Sequence, residues 1–421
     1  MSSVALAASA SFVPFNSRAK HLARLFPGFS RRCGETNISL SVSSQQKGFR
    51  FAVASSASGT NGNVAEIPEA ETAPQLYSWP DKKRPRVLLV DQSERFVFKP
   101  MLYELLSGEV DAWEIAPRFS DLLANTSVLF FQDKAKLLYP SDHLEVNGPT
   151  QYSCGGSVLL ESGLLVEYDW LVLALGAEAK LDIVPGAIEF ALPFSTLEDA
   201  RKVDHKLRTL ERRNFRKESA IRVAVVGCGY SGVELAATVS ERLQDRDIVL
   251  WTVGNKSLLP KLEPHDRPYD LPLNARGQAE TDETLRVNGH PRIFAVGDSC
   301  ALRESSGRLL PSTAQVAFQQ ADFAGWNLWA AINDRPLLPF RFQNLGEMIT
   351  LGRNDAAISP SFIEGLTLEG PIGHTARKLA YLIRLPTDEH RLKVGISWLT
   401  KSAIDSVASI QSTLTKVLSD S

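Results

Sequence analysis

Cysteine is scarce in this chain of 421 residues, and the four that occur stand far apart. They are Cys33, Cys154, Cys228 and Cys300. No two of them form the CxxC or other close pair that structural zinc sites and dithiol active centres need. The spacing favours isolated buried thiols and predicts neither a metal site nor a redox-active cysteine pair.

Long apolar runs are also missing. Apolar residues make up 44% of the chain, yet no run approaches the ~18 residues that a membrane-spanning helix needs. The length suits two or three domains with cores of their own. We therefore expect a globular protein that does not span a bilayer.

Acidic residues are almost absent from residues 1–65, which contain thirteen Ser, seven Lys or Arg and the single acid Glu35. This composition is typical of a disordered organelle transit peptide, with an ordinary disordered tail as the alternative. Residues 66–84 are interpreted as a linker. The rest of the chain has 39 basic and 47 acidic residues, a net charge of −8, which argues against a nucleic-acid partner.

The most informative motif that is present lies in residues 221–237, where a β-branched run meets a glycine-rich turn and a helix start. Gly227, Gly229 and Gly232 are in GxGxxG register, and Glu234 follows two residues later. Such glycines permit a tight turn, close approach of a pyrophosphate, and close packing of helix on strand. We predict a dinucleotide site here, with a plain strand-to-helix turn as the alternative.

Other buried strands end in residues of the kind that bind nucleotides. Residues 87–90 form an apolar run ending in Asp91, where dinucleotide folds place the acid that binds a ribose. Residues 169–176 and 247–254 share one pattern, an acid, an apolar strand and a glycine seven residues on. This internal echo suggests two related nucleotide-binding halves, although two buried strands can also be alike by chance.

A further strand stops at Gly297-Asp298 and precedes a helix that starts near Ala314. Gln315 and Gln319 share one face of that helix, because they are four residues apart. Glutamine amides can form hydrogen bonds without bringing charge into an apolar pocket.

In this order, the motifs of residues 85–421 resemble those of α/β flavoproteins with two Rossmann-like dinucleotide domains, the glutathione-reductase-like fold. Within that class they resemble the type II NAD(P)H:quinone oxidoreductases of the plastid-targeted plant branch. The resemblance implies FAD as cofactor, NAD(P)H as hydride donor and a membrane prenylquinone similar to plastoquinone as acceptor. It also implies a chloroplast location, at a membrane surface or plastoglobule, with the mitochondrion as a second site.

The resemblance also assigns residues. It implies FAD contacts at Asp91, Pro100, Gly176, Gly297, Asp298 and Ala314. It implies NAD(P)H contacts at Gly227, Gly229 and Gly232. It gives catalytic roles to Glu234 beside the nicotinamide and to Gln315 and Gln319 on the quinone side.

Domain boundaries follow from these motifs. We expect a first FAD-binding part at 85–194, a connector helix at 195–218 opened by a capping box at Ser195–Glu198, and an NAD(P)H-binding domain at 219–290. A second FAD-binding part at 291–344 and a C-terminal region at 345–421 complete the chain.

Both nucleotide-binding halves are expected to be incomplete. No opening strand with a glycine turn precedes Val87, and Ile221 to Gly254 spans 34 residues, enough for one βαβ unit only. The chain therefore resembles a splice variant, and the rival hypothesis is an inactive remnant that docks on a membrane or on a full-length subunit. Loss of two or three charge-assisted hydrogen bonds would weaken FAD binding by about three to six orders of magnitude. We expect residues 66–421, purified without added flavin, to be colourless or aggregated.

The C-terminal region contains two amphipathic segments, and from Pro371 onward there are seven Lys or Arg against four acids. Basic amphipathic helices suit a membrane surface where quinone dissolves. Packing on the protein's own core, or in a homodimer, is the alternative.

Overall fold

The computed structural model describes residues 50–54, 85–140, 155–214, 223–227, 229–242, 249–262, 271–353, 355–363 and 365–419. These residues divide into two compact units, each assembled from separate stretches of chain. Unit 1 takes residues up to 96, then 118–178 and 255–343, and unit 2 takes 97–117, 179–254 and 344–421.

Strands and helices are numbered in chain order. The strands are β1 (Arg50–Ala54), β2 (Arg86–Asp91), β3 (Val128–Gln132), β4 (Ala135–Pro140), β5 (Gly156–Leu160), β6 (Leu165–Tyr168), β7 (Trp170–Leu173), β8 (Ala177–Ala179), β9 (Leu192–Pro193), β10 (Ala224–Val226), β11 (Val249–Trp251), β12 (Asn255–Ser257), β13 (Lys261–Leu262), β14 (Ala279–Glu280), β15 (Arg286–Val287), β16 (His290–Ala295), β17 (Cys300–Ala301), β18 (Gly346–Thr350) and β19 (Ala356–Pro360). The helices are α1 (Leu102–Ser107), α2 (Ala112–Ile115), α3 (Phe119–Leu123), α4 (Ala187–Phe190), α5 (Leu197–Asn214), α6 (Tyr230–Arg242), α7 (Ala314–Ile332), α8 (Gly370–Arg384) and α9 (Asp388–Ser419).

Unit 1 is built on a six-stranded sheet in the order β15-β16-β7-β1-β2-β3. All its neighbours pair in parallel except β15, which is antiparallel to β16. Apolar side chains of β7 and β16 form the centre of one buried cluster, which also includes Ala324 of α7. A smaller sheet, β13-β4-β5-β6, supplies Leu138, Val158 and Leu160 to the same cluster.

Strand β1 corrects the expectation that the first half lacks its opening strand. Residues 50–54 pair with β2 on one side and β7 on the other, which is the central position of the sheet. The strand Arg50-Phe-Ala-Val-Ala is only five residues long and lies within a Ser-rich, acid-poor stretch typical of a transit peptide, so no local sequence pattern distinguishes it. A short apolar run can occupy this position because both neighbouring strands offer parallel edges. The turn after β1 lies outside the described residues.

Unit 2 contains a three-stranded parallel sheet in the order β10-β11-β9. Strand β11 lies beside β10 as β7 lies beside β1 in unit 1. Gly176 and Gly254, which follow β7 and β11, have left-handed φ values of 70° and 67°. The internal echo in the sequence therefore corresponds to equivalent strand positions in the two sheets. Among the described residues β10 has one neighbouring strand.

Helix α5 differs from the predicted connector. Its Leu197, Val203 and Leu207 are buried, and its Asp204 and Glu211 bind Arg242 of α6 within unit 2. The predicted capping box also shifts by one residue, because Thr196 Oγ1 accepts from the Asp199 amide and Asp199 Oδ2 from the Thr196 amide.

The domain boundaries also differ from the predicted ones. Residues 97–117, expected in the FAD-binding part, belong to unit 2, and residues 255–290, expected in the NAD(P)H-binding domain, belong to unit 1. The reason is pairing, since β14 joins β17 and β15 joins β16. Sequence motifs do not predict which of these short strands pair with each other.

The C-terminal residues belong to unit 2 and follow the predicted pattern. Strands β18 and β19 form an antiparallel hairpin around residues 351–355, and α8 and α9 are the two amphipathic helices. Of the helices that the structure describes, none is both long and apolar enough to cross a bilayer.

Candidate functional site

The carboxyl edge of the six-stranded sheet brings together several predicted FAD residues. Ala54 is paired with both Val90 and Leu173, and Leu173 with Ala295. Asp91, Gly176 and Gly297 come just after these paired positions, so they lie along one edge. In open parallel sheets this edge, where neighbouring connections diverge, is where ligands bind.

Asp298 lies in the turn Gly297–Ser299 at this edge and is buried. Its Oδ1 atom is buried with no hydrogen-bond partner among the described residues. A buried carboxylate oxygen without a partner is costly, so a donor from a ligand would be stabilising here. Asp91 is also buried, and its Oδ1 accepts from the Ser93 amide at 2.8 Å.

The Gly297–Ser299 turn is held by residues that the sequence motifs did not reveal. Ser299 Oγ accepts from the Leu175 amide at 3.0 Å, which ties the turn to the end of β7. Gln320 Oε1 accepts from the Gly297 amide at 2.7 Å, and Gln320 Nε2 lies 3.6 Å from Cys300 Sγ. Cys300 is buried as predicted, and burial raises the pKa of its thiol to about 11. The other cysteines lie outside the described residues.

Helix α7 begins beside this turn. Thr313 caps it by accepting from the Val316 amide at 3.3 Å, so Ala314 is its first residue. Gly297, with φ of 62°, leaves room for α7, since an added Cβ would lie 3.3 Å from that of Ala317. The free amides and positive dipole end of α7 thus lie near the Gly297–Ser299 turn.

Gln315 and Gln319 lie half-buried on α7. The Gln319 amide is engaged at both atoms, donating from Nε2 to the Gln343 carbonyl at 2.8 Å and accepting from the Gln343 amide at 2.9 Å. Gln319 therefore anchors the backbone at residue 343. The sequence motif does not indicate this contact.

The three glycines of the glycine-rich turn in unit 2 differ in their surroundings. A side chain at Gly227 would collide with Thr252 Oγ1, and one at Gly232 would collide with the Gly227 carbonyl. Gly229 faces open space. Gly227 and Gly232 are thus required by the packing of the chain itself. Gly229 instead keeps the backbone accessible on the side from which a bound phosphate would approach.

Glu234 lies on α6, two residues after Gly232. It is buried, and its Oε1 accepts from the Thr350 amide at 3.1 Å. Burial raises the pKa of this carboxyl to about 7, although the Thr350 hydrogen bond and the charge of Arg377 act in the opposite direction. Glu234 can therefore change protonation near neutral pH.

Pro100 stands in a short 3-10 helix, Lys99–Met101, in unit 2. Phe98 and Met101 are buried beside it, and Phe98 makes an edge contact with Tyr381 at 5.3 Å between ring centroids. Pro100 is the one predicted FAD residue that belongs to unit 2.

Unit 2 also contains a buried ion pair that sequence reasoning missed. Arg377 of α8 binds Glu104 of α1, and both side chains are buried. Residues 273 positions apart in sequence carry no local pattern that could have predicted this contact.

Comparisons with known proteins define the class first. The model of the pyridine nucleotide-disulphide oxidoreductase family matches residues 75–249. The structure of NDH2 from Plasmodium falciparum in complex with NADH has the same fold, with a TM-score of 0.59 and 15% identity over 76% of this chain and 93% of that one.

Curated relatives narrow the class. An alternative NAD(P)H-ubiquinone oxidoreductase C1, chloroplastic/mitochondrial, of Arabidopsis thaliana is 59% identical, covering 86% of this chain and 89% of that protein. Demethylphylloquinone reductase NdbB of Synechocystis sp. is 38% identical, covering 77% of this chain and 91% of that protein. The chain belongs to the type II NAD(P)H:quinone oxidoreductase family, in its plant plastid branch.

The alignment to the Arabidopsis protein also bears on the predicted deletions. It runs over 464 positions, although 86% of 421 residues is only about 362. About a hundred aligned positions therefore have no counterpart in this chain. This agrees with a family member that has internal deletions.

Proposed function

We propose that this chain is an FAD-dependent NAD(P)H:quinone oxidoreductase whose acceptor is a membrane prenylquinone similar to plastoquinone. The observation that carries the proposal is the partnerless Oδ1 of buried Asp298 at the carboxyl edge of the unit 1 sheet. In the family the flavin binds at this edge, and here the edge presents a buried acceptor atom that a ligand could satisfy.

The residues of unit 1 fit FAD by their chemistry. Asp298 offers a buried acceptor, Asp91 a carboxylate at the end of β2, and α7 a free helix N-terminus beside Gly297. Gly176 and Gly297 have left-handed backbones that keep side chains away from the edge. When bound, FAD supplies hydride acceptance from NAD(P)H and two-electron transfer to quinone.

The protein's own task is orientation. The N-terminus of α7 stabilises negative charge that develops nearby, since its first amides have no partners within the helix. We assign NAD(P)H to the turn at Gly227, Gly229 and Gly232, with Glu234 beside the nicotinamide. Pro100 is assigned to the flavin side, as the family resemblance implies.

Quinone contact is assigned to Gln315 and Gln319 on α7. Gln319 already holds the backbone of residue 343, so contact by Gln319 requires it to exchange those bonds.

Membrane attachment is assigned to the exposed apolar face of α8 and α9. Leu392, Ile396 and Leu399 of α9 are more than half exposed, as are Ile372, Leu379 and Ile383 of α8. We place the protein at a chloroplast membrane surface or plastoglobule, with the mitochondrion as a second site, because the Arabidopsis relative is named chloroplastic/mitochondrial.

An inactive variant is the second candidate, and one observation favours it. Strand β10 has a single neighbouring strand among the described residues, whereas a mononucleotide-binding half has strands on both sides. Such a variant would dock on a membrane or on a full-length subunit without turnover.

The test is to purify the full chain, add FAD, and measure NAD(P)H oxidation with and without a short-chain quinone. We expect oxidation that requires both FAD and quinone. The Asp298→Asn variant should lose flavin, and the exposed Asp121→Asn variant serves as the matched control. Absence of turnover in a folded, flavin-loaded chain would support the inactive candidate.

A further inference from the structure

Glu234 shares a buried polar cluster with two other helices of unit 2. The Glu234 cluster consists of Tyr103 and Glu104 on α1, Glu234 on α6, and Arg377 and Tyr381 on α8. Four of these side chains are buried, namely Tyr103, Glu104, Glu234 and Arg377. The fifth, Tyr381, is acted on by the charges of Arg377, Glu234 and Glu104. Helices α1 and α6 also pack against each other.

Arg377 is the only cation of this cluster. Its side chain is 0% exposed and pairs with Glu104, whose side chain is 2% exposed. Arg377 Nε and Nη1, and Glu104 Oε2, have no hydrogen-bond partner among the described residues. The guanidinium also lies 5.1 Å from the Tyr381 ring centroid. Because arginine does not lose its proton in proteins, the net charge of the cluster changes only at its carboxyls.

The two carboxyls differ in their partners. Glu104 is in direct contact with Arg377. Glu234 instead accepts a hydrogen bond from the Thr350 amide, and Arg377 acts on it only through its charge. Burial raises the pKa of both carboxyls. At Glu234 the charge of Arg377 lowers the pKa and that of Glu104 raises it.

The remaining titratable groups in and beside the cluster leave the opposing effects of Arg377 and Glu104 on Glu234 in place. Burial raises the pKa values of Tyr103 and Tyr381, so both phenols stay neutral. On α8, His374 and Lys378 face Glu109, which lies just beyond α1. The charge of Lys378 also lowers the pKa of Glu104, as the charge of Arg377 does. From β18 the Thr350 amide donates to Glu234, and Glu347 of the same strand bonds Tyr230.

We propose that Glu104 and Arg377 are positioning residues whose opposed charges fix how tightly Glu234 holds one proton inside unit 2. The inference rests on the proposed function, which places Glu234 beside the nicotinamide. Reduction of one quinone by NAD(P)H consumes one proton from water, because NAD(P)H supplies a single hydride and the quinol carries two hydrogens. A buried acid that changes protonation near neutral pH is suited to such a reaction.

The experiment follows the proton on Glu234 by infrared spectroscopy of the full chain, without NAD(P)H or quinone. The protonated carboxyl band that disappears in Glu234→Gln is titrated against pH in wild type and in variants. Removing a nearby buried charge shifts such a midpoint by about one pH unit or more. We expect Glu104→Gln to lower the midpoint and Arg377→Gln to raise it.

Two further variants separate electrostatics from simple disruption. Arg377→Lys keeps the charge and should leave the midpoint close to that of wild type. Arg242→Gln removes an arginine from the same helix as Glu234 that binds Asp204 and Glu211 instead, and the midpoint should not move. If Arg377→Gln does not fold, the lowered midpoint expected for Glu104→Gln and the unchanged midpoint expected for Arg377→Lys still test the proposal.

Opposite shifts in the two single variants would support the proposal. Shifts in one direction, or no shift in folded variants, would overturn it. The readout needs neither flavin nor turnover, so a chain that proves inactive contradicts the proposed function alone. If the enzyme is active, the pH profile of kcat should move with the infrared midpoint, variant by variant.

Discussion

Glu234 is an acid in surroundings that favour its neutral form, and this has a consequence for stability. Its pKa in the folded protein is about 7, with burial as the main cause, against 4.5 for an ordinary glutamate. The folded chain therefore binds this proton more tightly than the unfolded chain between those pH values. The stabilising effect of the bound proton is complete below about pH 4.5 and is lost as the pH rises through 7.

The Glu234→Gln variant should remove this pH dependence. We expect the free energy of unfolding of wild type to fall by about 2–4 kcal/mol more than that of the variant between pH 4.5 and 7.5. Urea denaturation at a series of pH values measures the difference. Parallel curves for the two proteins would contradict the assigned protonation.

Gln315 and Gln319 should respond differently to substitution by leucine. Gln319→Leu removes two hydrogen bonds to the backbone of Gln343, so we expect a loss of about 1–2 kcal/mol of stability. Gln315→Leu should raise the quinone KM and leave flavin reduction by NAD(P)H unchanged. Steady-state kinetics and thermal unfolding of both variants measure this, and normal quinone kinetics in Gln315→Leu would remove the quinone assignment.

Residues with a local motif could be predicted from the sequence, whereas residues with a distant partner could not. The turn glycines and Asp298 stand in patterns whose spacing reflects backbone geometry. Gln320 and Arg377 act through contacts with residues far away in sequence. Their types fit an ordinary helix face, and only the fold shows that they are buried.

At the scale of elements, β1 decides whether unit 1 has a continuous sheet. It pairs with β2 over five residue pairs and with β7 over four. A chain beginning at residue 66 should aggregate, because β2 and β7 would expose unpaired edges. A chain beginning at residue 45 should stay soluble, and sedimentation of the two forms compares them.

The same strand limits processing of the proposed transit peptide. A chloroplast form that retains β1 must begin before Arg50. We expect N-terminal sequencing of the protein recovered from chloroplasts to find its first residue upstream of position 50. A stable mature form starting after Ala54 would show that residues 50–54 are dispensable for the sheet.

Helix α9 presents two different faces, and one of them packs on the protein's own core, which was the alternative interpretation of the C-terminal region. His390, Ser397 and Lys401 contact Glu114 of α2, whose side chain is fully buried. Leu392, Ile396 and Leu399 are exposed. One face of α9 thus packs on unit 2, and the exposed face is the one to which we assign membrane attachment.

Substitutions on the two faces of α9 should separate attachment from folding. Leu392→Gln with Leu399→Gln should weaken binding to anionic liposomes by about tenfold or more, with an unchanged thermal midpoint. Lys401→Gln should lower the thermal midpoint, because buried Glu114 loses its cation. Liposome flotation and calorimetry measure both effects, and full liposome binding by the double variant would place attachment elsewhere.

At the scale of the whole molecule, the internal echo was the most informative prediction. It anticipated that residues 169–176 and 247–254 occupy equivalent places in two sheets, because a repeated strand and glycine reflect a repeated backbone. The discontinuous division into units could not be anticipated, since it depends on which strands pair.

The most direct test of the account is a titration of the purified full chain with FAD, followed by NAD(P)H and then a short-chain quinone. We predict a protein that binds added FAD and turns yellow, because buried Asp298 offers an acceptor and the N-terminus of α7 offers a positive helix end beside it. The yellow complex should bleach with NAD(P)H and regain its colour with quinone. A folded chain that takes up no FAD, or a bound flavin that NAD(P)H does not bleach, would contradict the proposed oxidoreductase activity.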